Sequence, residues 1–453
     1  MIFVLHVINL LMTAAVVNTK VSNPYMDEIF HISQAQQYCR GDFYSWDPKL
    51  TTPPGLYLLS NVFVYVGKLF NYDLCTVNAL RFTNILFSIG LYFILVSLTK
   101  TSRVYALSLA WFPVGFFYNF LYYTDAGSTF FVLLSYLLVK RRWYRLSGVM
   151  GIVSMTFRQT NVIWVCLFMM VTIIDTLSLN ESSKKNDDHS NCLYNPLCAT
   201  IMNSPVQMLR SILSLTVNIL ENFKTLLPNI VTFLIAIFSF ALFLIWNNGI
   251  VLGDRSNHIA GLHFPQLFYF TSFLSFFSAP WTLSLTAISD LIFHSSIKKI
   301  LYGLLSCVVS LYLVFKYTYE HPFILSDNRH YSFYVWKKVY RRHWTIRYLL
   351  TPVYVLSEIL NFQAFANHTS FLLALGYLTA LVLTLVPSPL LEFRYFIIPF
   401  LFYMVHIPPP KQTWRLLSGL AFYIFIHLIT LYLFLFKPFV WLNEPNQLQR
   451  FMW

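Results

Sequence analysis

Runs of about 20 apolar residues recur along this chain, and a run of that length matches the hydrocarbon thickness of a bilayer when it coils into a helix. The clearest predicted spans lie near residues 80–99, 104–122, 228–247, 264–291, 299–319, 346–364, 370–387 and 415–436. Shorter apolar runs at 126–139, 146–157, 161–175 and 393–406 predict broken or tilted helices, tolerated where polar backbone faces protein or a wet cavity. Charged residues make up only 11% of the 453 and hydrophobic ones 57%, whereas soluble domains carry about 25% charged residues. That excludes a soluble enzyme, a disordered tail and a nucleic-acid binder, and predicts an all-α polytopic membrane protein. The formal charge of +13 then marks cytosolic loops, anionic headgroup contacts or a site for a negatively charged substrate. Six scattered cysteines form neither a CxxC pair nor a zinc spacing.

Residues 1–17 predict the first membrane helix. No Lys or Arg precedes Lys20, which favours a retained anchor, while Ala14 and Ala15 leave a cleaved leader as the alternative. Basic clusters at Lys140-Arg141-Arg142, Arg145 and Lys298-Lys299, with the turn Lys100 to Arg103, belong on the cytosolic side by the positive-inside rule. Residues 18–79 then form one long loop on the far side, with 54–70 lying along the membrane surface. A polar stretch at 176–226, holding Glu181, Lys184, Lys185, Asp187, Asp188 and Asn203, predicts a cytosolic loop between a bundle at 80–175 and one at 227–453, all within a single domain 1–453. No internal repeat is visible. The same parity gathers Tyr122 to Ser128, Phe157 to Asn161, Gly253 to His258, Asp327 to Tyr331 and Glu392 to Tyr395 on the far side. Each cluster alone also reads as a solvated loop end. Lys337, Lys338, Arg341, Arg342 and Arg347 fall on that side too, against the charge rule unless they meet lipid phosphates.

Asn23-Pro24 predicts a helix start and Arg40-Gly41 a stop, giving an amphipathic helix over 24–39. Asp27 and His31 sit one turn apart on it, with Gln34 and Tyr38 continuing that face and Ile29, Ile32 and Ala35 available to the lipid interface. A carboxylate beside a histidine at the membrane surface is suited to taking a proton from a hydroxyl; the plain alternative is an interfacial helix whose acids, Asp27 and Glu28, are merely hydrated. Trp46-Asp47 and Thr51 to Tyr57 follow, an aromatic and turn-rich segment suited to sugars, although aromatic rings also gather at interfaces without a ligand.

Pro24 to His31, Gln34-Ala35-Gln36, Trp46-Asp47-Pro48 and Thr51-Thr52 to Pro54-Gly55-Leu56-Tyr57 resemble the dolichyl-phosphate-glucose-dependent alpha-1,2-glucosyltransferases of the endoplasmic reticulum, which add the last glucose to the lipid-linked oligosaccharide of N-glycosylation. Gly253 to Ser256, Leu262 to Phe270, Asp327 to Tyr331, Leu391 to Tyr395 and Gln449 to Trp453 extend the resemblance over nearly the whole chain. Ser33 stands where Pro is expected, and Asp125 where Glu is expected.

The resemblance implies a GT-C membrane glycosyltransferase with about 12 to 14 membrane helices and a lumenal first loop carrying interfacial helices. It implies an endoplasmic reticulum location with the active site lumenal, and as partners dolichyl phosphate glucose, a dolichyl-diphosphate-linked oligosaccharide acceptor and membrane lipid, without nucleic acid. It also implies a reaction without metal or other cofactor, and the sequence holds neither an Asp-x-Asp pair nor a phosphate-cradling glycine loop. A beta-linked donor and an alpha-linked product imply one inverting displacement. Asp27 is the expected base, grouped with Glu28 and His31. Arg158, Arg255, Arg329, His330 and Arg394 are candidates for the donor phosphate, and Trp46, Asp47, Tyr57, Asp125, Asp254, His258 and Asp327 for the sugars. Each arginine has an alternative as headgroup anchor or partner of a nearby acid. Cys39 and Cys75 share the loop, so in an oxidising lumen they are expected to pair, with two free buried thiols as the alternative. The sequons at Asn180 and Asn367 fall on the cytosolic side and are expected to stay unmodified. A mannosyltransferase of the same compartment, or a transporter or channel-associated protein, is the alternative reading; transporters, however, commonly carry internal repeats.

Overall fold

Helix dominates the protein because within hydrocarbon the backbone must satisfy its own hydrogen bonds. The computed structural model describes residues 1–183, 192–255, 259–283, 289 and 297–453. Among these, seven helices are long and apolar enough to cross a membrane: 2–20, 77–99, 159–179, 223–247, 299–317, 346–366 and 413–436. Shorter apolar helices at Gly55–Leu69, Phe371–Leu385 and Phe393–His406 accompany them. The chain is thus a multi-pass membrane protein. His258, Lys184, Lys185, Asp187 and Asp188 lie outside the described residues, as does most of 284–296.

Several sequence expectations change. The run at 104–122 is not one span: it folds as Arg103–Ala110 and Pro113–Tyr118, because Pro113 has no N–H to continue the helical ladder. The run at 161–175 belongs to a longer helix, Val162–Ser183. The stretch 176–226 is not simply a loop. It contains the helix Pro205–Glu221, started by the Ser204 hydroxyl accepting from the Gln207 N–H, with Val206, Leu209, Leu213 and Leu220 exposed along its length. An exposed apolar stripe of that kind fits a membrane surface.

The chain divides into two compact units. The first comprises 1–100, 118–258 and 369–380. In it α1 (Ile2–Lys20) packs on α4 (Val77–Thr99), and α2 (Glu28–Cys39) packs on α3 (Gly55–Leu69). Helices Thr124–Lys140, Tyr144–Phe157 and Phe223–Asn247 pack in sequence against one another, the first of them also against α4. The expected helix over 24–39 begins only at Glu28, since Met26 takes a left-handed φ of 57° that interrupts a right-handed helix. Its faces also differ from expectation: of the three apolar residues expected at the lipid interface Ile29 alone is exposed, whereas Ile32 and Ala35 join the core with Tyr38, Leu56, Tyr57, Tyr122 and Phe157. α3 carries an exposed apolar face, through Leu58, Val62, Tyr65, Val66 and Leu69, as expected for a helix lying along the membrane surface. The disulfide expected between Cys39 and Cys75 is present and ties the end of α2 to the segment before α4.

The second unit comprises 101–117, 259–368 and 381–453. Helix Pro265–Thr282 packs on Thr351–Ala366 and Thr413–Phe436. An antiparallel pair, Phe439–Trp441 with Glu444–Gln449, follows. Beyond it Arg450 donates to the carbonyls of Phe434 and Leu435, capping the preceding helix, and Met452 pairs with the backbone of Arg329 and Tyr331.

Candidate active site

Asp27 occupies the N-cap position of α2 and is half-buried. Its backbone N–H donates to the Tyr123 hydroxyl at 3.1 Å, so the aromatic residue before helix Thr124–Lys140 fixes where the acid sits. One turn on, His31 is buried and its Nδ1 lies 2.6 Å from the Tyr57 hydroxyl. Burial, and next the neighbouring Tyr122, pushes the Tyr57 hydroxyl well above its ordinary range. Tyr57 therefore keeps its proton, and its hydroxyl's hydrogen bond with Nδ1 fixes the imidazole's orientation.

Glu28 behaves unlike its neighbour. It is fully buried, and its carboxylate accepts four hydrogen bonds: Oε1 from Arg81 Nε and the Tyr122 N–H, Oε2 from Arg81 Nη2 and the Tyr25 N–H. Both lone pairs of each oxygen are occupied, so Glu28 has no open face for a substrate proton. Arg81 spends its remaining donors on Asn18 Oδ1 and the carbonyls of Val21 and Asn23. Sequence reasoning overlooked Arg81, although the signal was available: it is the sole charged residue in the 23-residue helix α4, and charge in an apolar span marks a site.

The rest of the first loop is sewn to this centre by backbone contacts. Gln34 donates to the Ser45 carbonyl and accepts from the Asp47 N–H, which presents Trp46 between them. Asp47 Oδ1 accepts from the Lys49 N–H and closes its own turn. Gln159 donates to the carbonyls of Thr51 and Ile250, and the Asp254 N–H donates to that of Pro48. Residue 253 must be glycine, because a Cβ there would run into the carbonyl oxygens of Pro48 and Leu50. Arg255 donates to the carbonyl and side-chain oxygens of Asn247. Arg158 pairs with Asp125 Oδ1 at 2.9 Å and reaches Thr124. Asp125 Oδ2 and Trp46 Nε1 are among the buried polar atoms that have no hydrogen-bond partner within the described residues. Such atoms call for a ligand or water.

Asp27, Glu28, His31, Trp46, Asp47, Tyr57, Asp125, Arg158, Asp254 and Arg255 thus share the first unit. Asp327, Arg329, His330 and Arg394 belong to the second. There Arg329 forms a two-pronged pair with Asp327, donates to Gln449 Oε1 and lies against the Trp441 ring, while His330 Nδ1 contacts the Trp453 carbonyl. Burial pushes the Asp327 carboxyl up, but hydrogen bonds from Arg329 and the charges of His330 and Arg329 outweigh it and hold the group below the usual range. Arg394 is paired with Glu392. His258 lies outside the described residues.

A family model described as the DIE2/ALG10 family matches residues 21–405. The mouse Dol-P-Glc:Glc(2)Man(9)GlcNAc(2)-PP-Dol alpha-1,2-glucosyltransferase is 39% identical, over 95% of this chain and 93% of its own. A human protein of that name is 39% identical over the same shares. The Arabidopsis thaliana protein of that name is 34% identical over 97% of this chain and 96% of its own. No solved structure matches.

Proposed function

Because the chain belongs to the DIE2/ALG10 family, we propose that it transfers glucose from dolichyl phosphate glucose, in alpha-1,2 linkage, to the diglucosylated dolichyl-diphosphate oligosaccharide. Its mouse, human and plant relatives are named for that reaction. We assign it to the endoplasmic reticulum membrane with the first loop in the lumen. The Cys39–Cys75 disulfide supports that side, since disulfides persist in oxidising compartments.

The observation that carries the mechanism is Asp27: a half-buried carboxylate at a helix start, its backbone held by Tyr123, one turn from an oriented histidine. Asp27 takes the proton of the acceptor 2-hydroxyl as that oxygen bonds to the donor's anomeric carbon. The bond from this carbon to the phosphate oxygen breaks, and dolichyl phosphate leaves with the electron pair. One base suffices for a single displacement, and departing phosphate needs no general acid. Among the candidate cations, Arg158 is favoured for the developing charge because Tyr123, Thr124 and Asp125 lie consecutively, Tyr123 touching Asp27 and the next two touching Arg158. Arg255 shares the unit of Asp27 and Arg158, whereas Arg329, His330 and Arg394 belong to the second. Asp125 Oδ2 and Trp46 Nε1 are the acceptor and donor offered to sugar hydroxyls, with Tyr57 backing the indole at a ring distance of 6.0 Å.

Purified protein in nanodiscs, supplied with synthetic dolichyl phosphate glucose or mannose and a matching acceptor, tests this. The expected result is transfer of glucose and not mannose, with Asp27→Asn slower by about 10²- to 10⁴-fold, the usual cost of losing a general base. Near-normal turnover of Asp27→Asn would remove the assignment.

A further inference from the structure

We propose that Arg81 is a positioning residue for the transfer reaction, acting through Glu28 and the strained backbone of Met26 to set the carboxylate of Asp27. This rests on Asp27 being the base. Arg81 is 2% exposed and Glu28 is fully buried, and their pair spans 2.6 Å. All five guanidinium donors and both carboxylate oxygens are engaged within one node. Its contacts reach four pieces of chain: the exit of α1 through Asn18 and Val21, the turn before α2 through Asn23 and Tyr25, α4 through Arg81 itself, and the 122–123 segment through Tyr122. Asn84, one turn from Arg81, holds the same segment by donating to the carbonyls of Leu121 and Tyr123.

Asp27 lies between these anchors. Glu28 follows it, Tyr123 holds its N–H, and Met26 before it adopts the left-handed conformation that side chains disfavour. The Tyr25 N–H donating to Glu28 Oε2 closes this short loop across residues 25–28. A strained residue persists only where its surroundings over-determine it, and such residues cluster at functional sites. Here the surroundings are the ion pair, and the residue they constrain adjoins the base. Stabilisation alone explains this arrangement poorly, since a buried ion pair seldom stabilises more than apolar packing would.

Met26→Gly separates position from stability. Glycine takes the left-handed φ without strain but releases the turn. The expected result in nanodiscs is an unchanged or raised thermal transition, KM for donor and acceptor within about twofold, and kcat lowered about tenfold or more, as for a small misplacement of a reacting group. Met26→Asn, which tolerates the same φ with less freedom, is expected to keep kcat within about threefold of wild type. Arg81→Lys, which cannot supply the five-donor fork, is expected to lower kcat likewise; if it yields no folded protein, Met26→Gly decides. Wild-type kcat in Met26→Gly, with Asp27→Asn inactive, overturns the positioning role and leaves the base in place. Full turnover in Asp27→Asn overturns the base assignment and this inference with it.

Discussion

Adjacent acids at 27 and 28 occupy opposite environments, and burial divides them. Glu28 is sealed against Arg81, whereas Asp27 keeps access from outside. In sequence the pair looks like two hydrated carboxylates, either of which could take a proton. Removing one partner of a buried ion pair costs about 3–5 kcal/mol, so Glu28→Gln reports on folding before it reports on chemistry. The arginines divide in a similar way. Arg158→Ala is expected to raise the KM for dolichyl phosphate glucose about tenfold or more with acceptor KM unchanged, because a phosphate near hydrocarbon is costly without a fixed cation. Arg329→Ala and Arg394→Ala are expected to weaken donor use less, because both belong to the second unit whereas Arg158 shares the first with Asp27. Donor titrations on the three variants check this, and equal kinetics in Arg158→Ala and wild type would return Arg158 to a structural pairing with Asp125.

Among the elements, α2 departs from the place its sequence suggests while α3 keeps its own. Apolar periodicity predicts a lipid-facing side for α2, but its Ile32 and Ala35 are taken by the core beneath the loop. α3 is left to expose Leu58, Val62 and Leu69. A disulfide then fixes the pair, with Cys39 ending α2 and Cys75 36 residues on. Closing a loop of that length stabilises by about 4 kcal/mol on chain-entropy grounds. Cys75→Ser is therefore expected to lower the thermal transition by several degrees and to open the loop between 40 and 75 to protease. Identical melting and cleavage with and without reductant would show the crosslink to be mechanically idle. In the second unit, the segment from Gln449 to Trp453 holds Arg329 and His330 by side-chain and backbone contacts, which gives this tryptophan-ended stretch a role that its composition does not reveal.

For the whole molecule, the apolar runs fix the class, and the basic clusters supply the expected sidedness. Asn367 closes the helix Thr351–Ala366, and Asn180 lies in the helix Val162–Ser183; its side chain is outside the described residues. Both sequons fall on the cytosolic side of the charge-based map, so neither is expected to carry a glycan. A glycosidase-sensitive mass shift that Asn180→Gln abolishes would reverse the map. The candidate residues do not share one compact unit. The first loop and residues 122–161 and 247–255 lie in one, residues 327–331 and 392–395 in the other. Parity along the chain could assign these clusters to one membrane face, but face membership does not specify contact.

What the sequence determined by itself is whatever depends on local, additive physics. Twenty apolar residues cost too much in water to do anything but enter a membrane or a core, so the class was legible, as were the interfacial helix near 54–70 and a pair of cysteines confined to one loop. The long matched segments carried the family for the same reason, each residue counting independently. Packing decided the rest. Where α2 begins depends on a left-handed Met26 enforced by an ion pair whose partners are 53 residues apart. The buried face of α2 and the saturation of Glu28 likewise depend on neighbours distant in sequence. A carboxylate's chemistry is set by who donates to it, and for Glu28 all but one of the donors come from α4 and the 122 segment, which only the folded chain brings near.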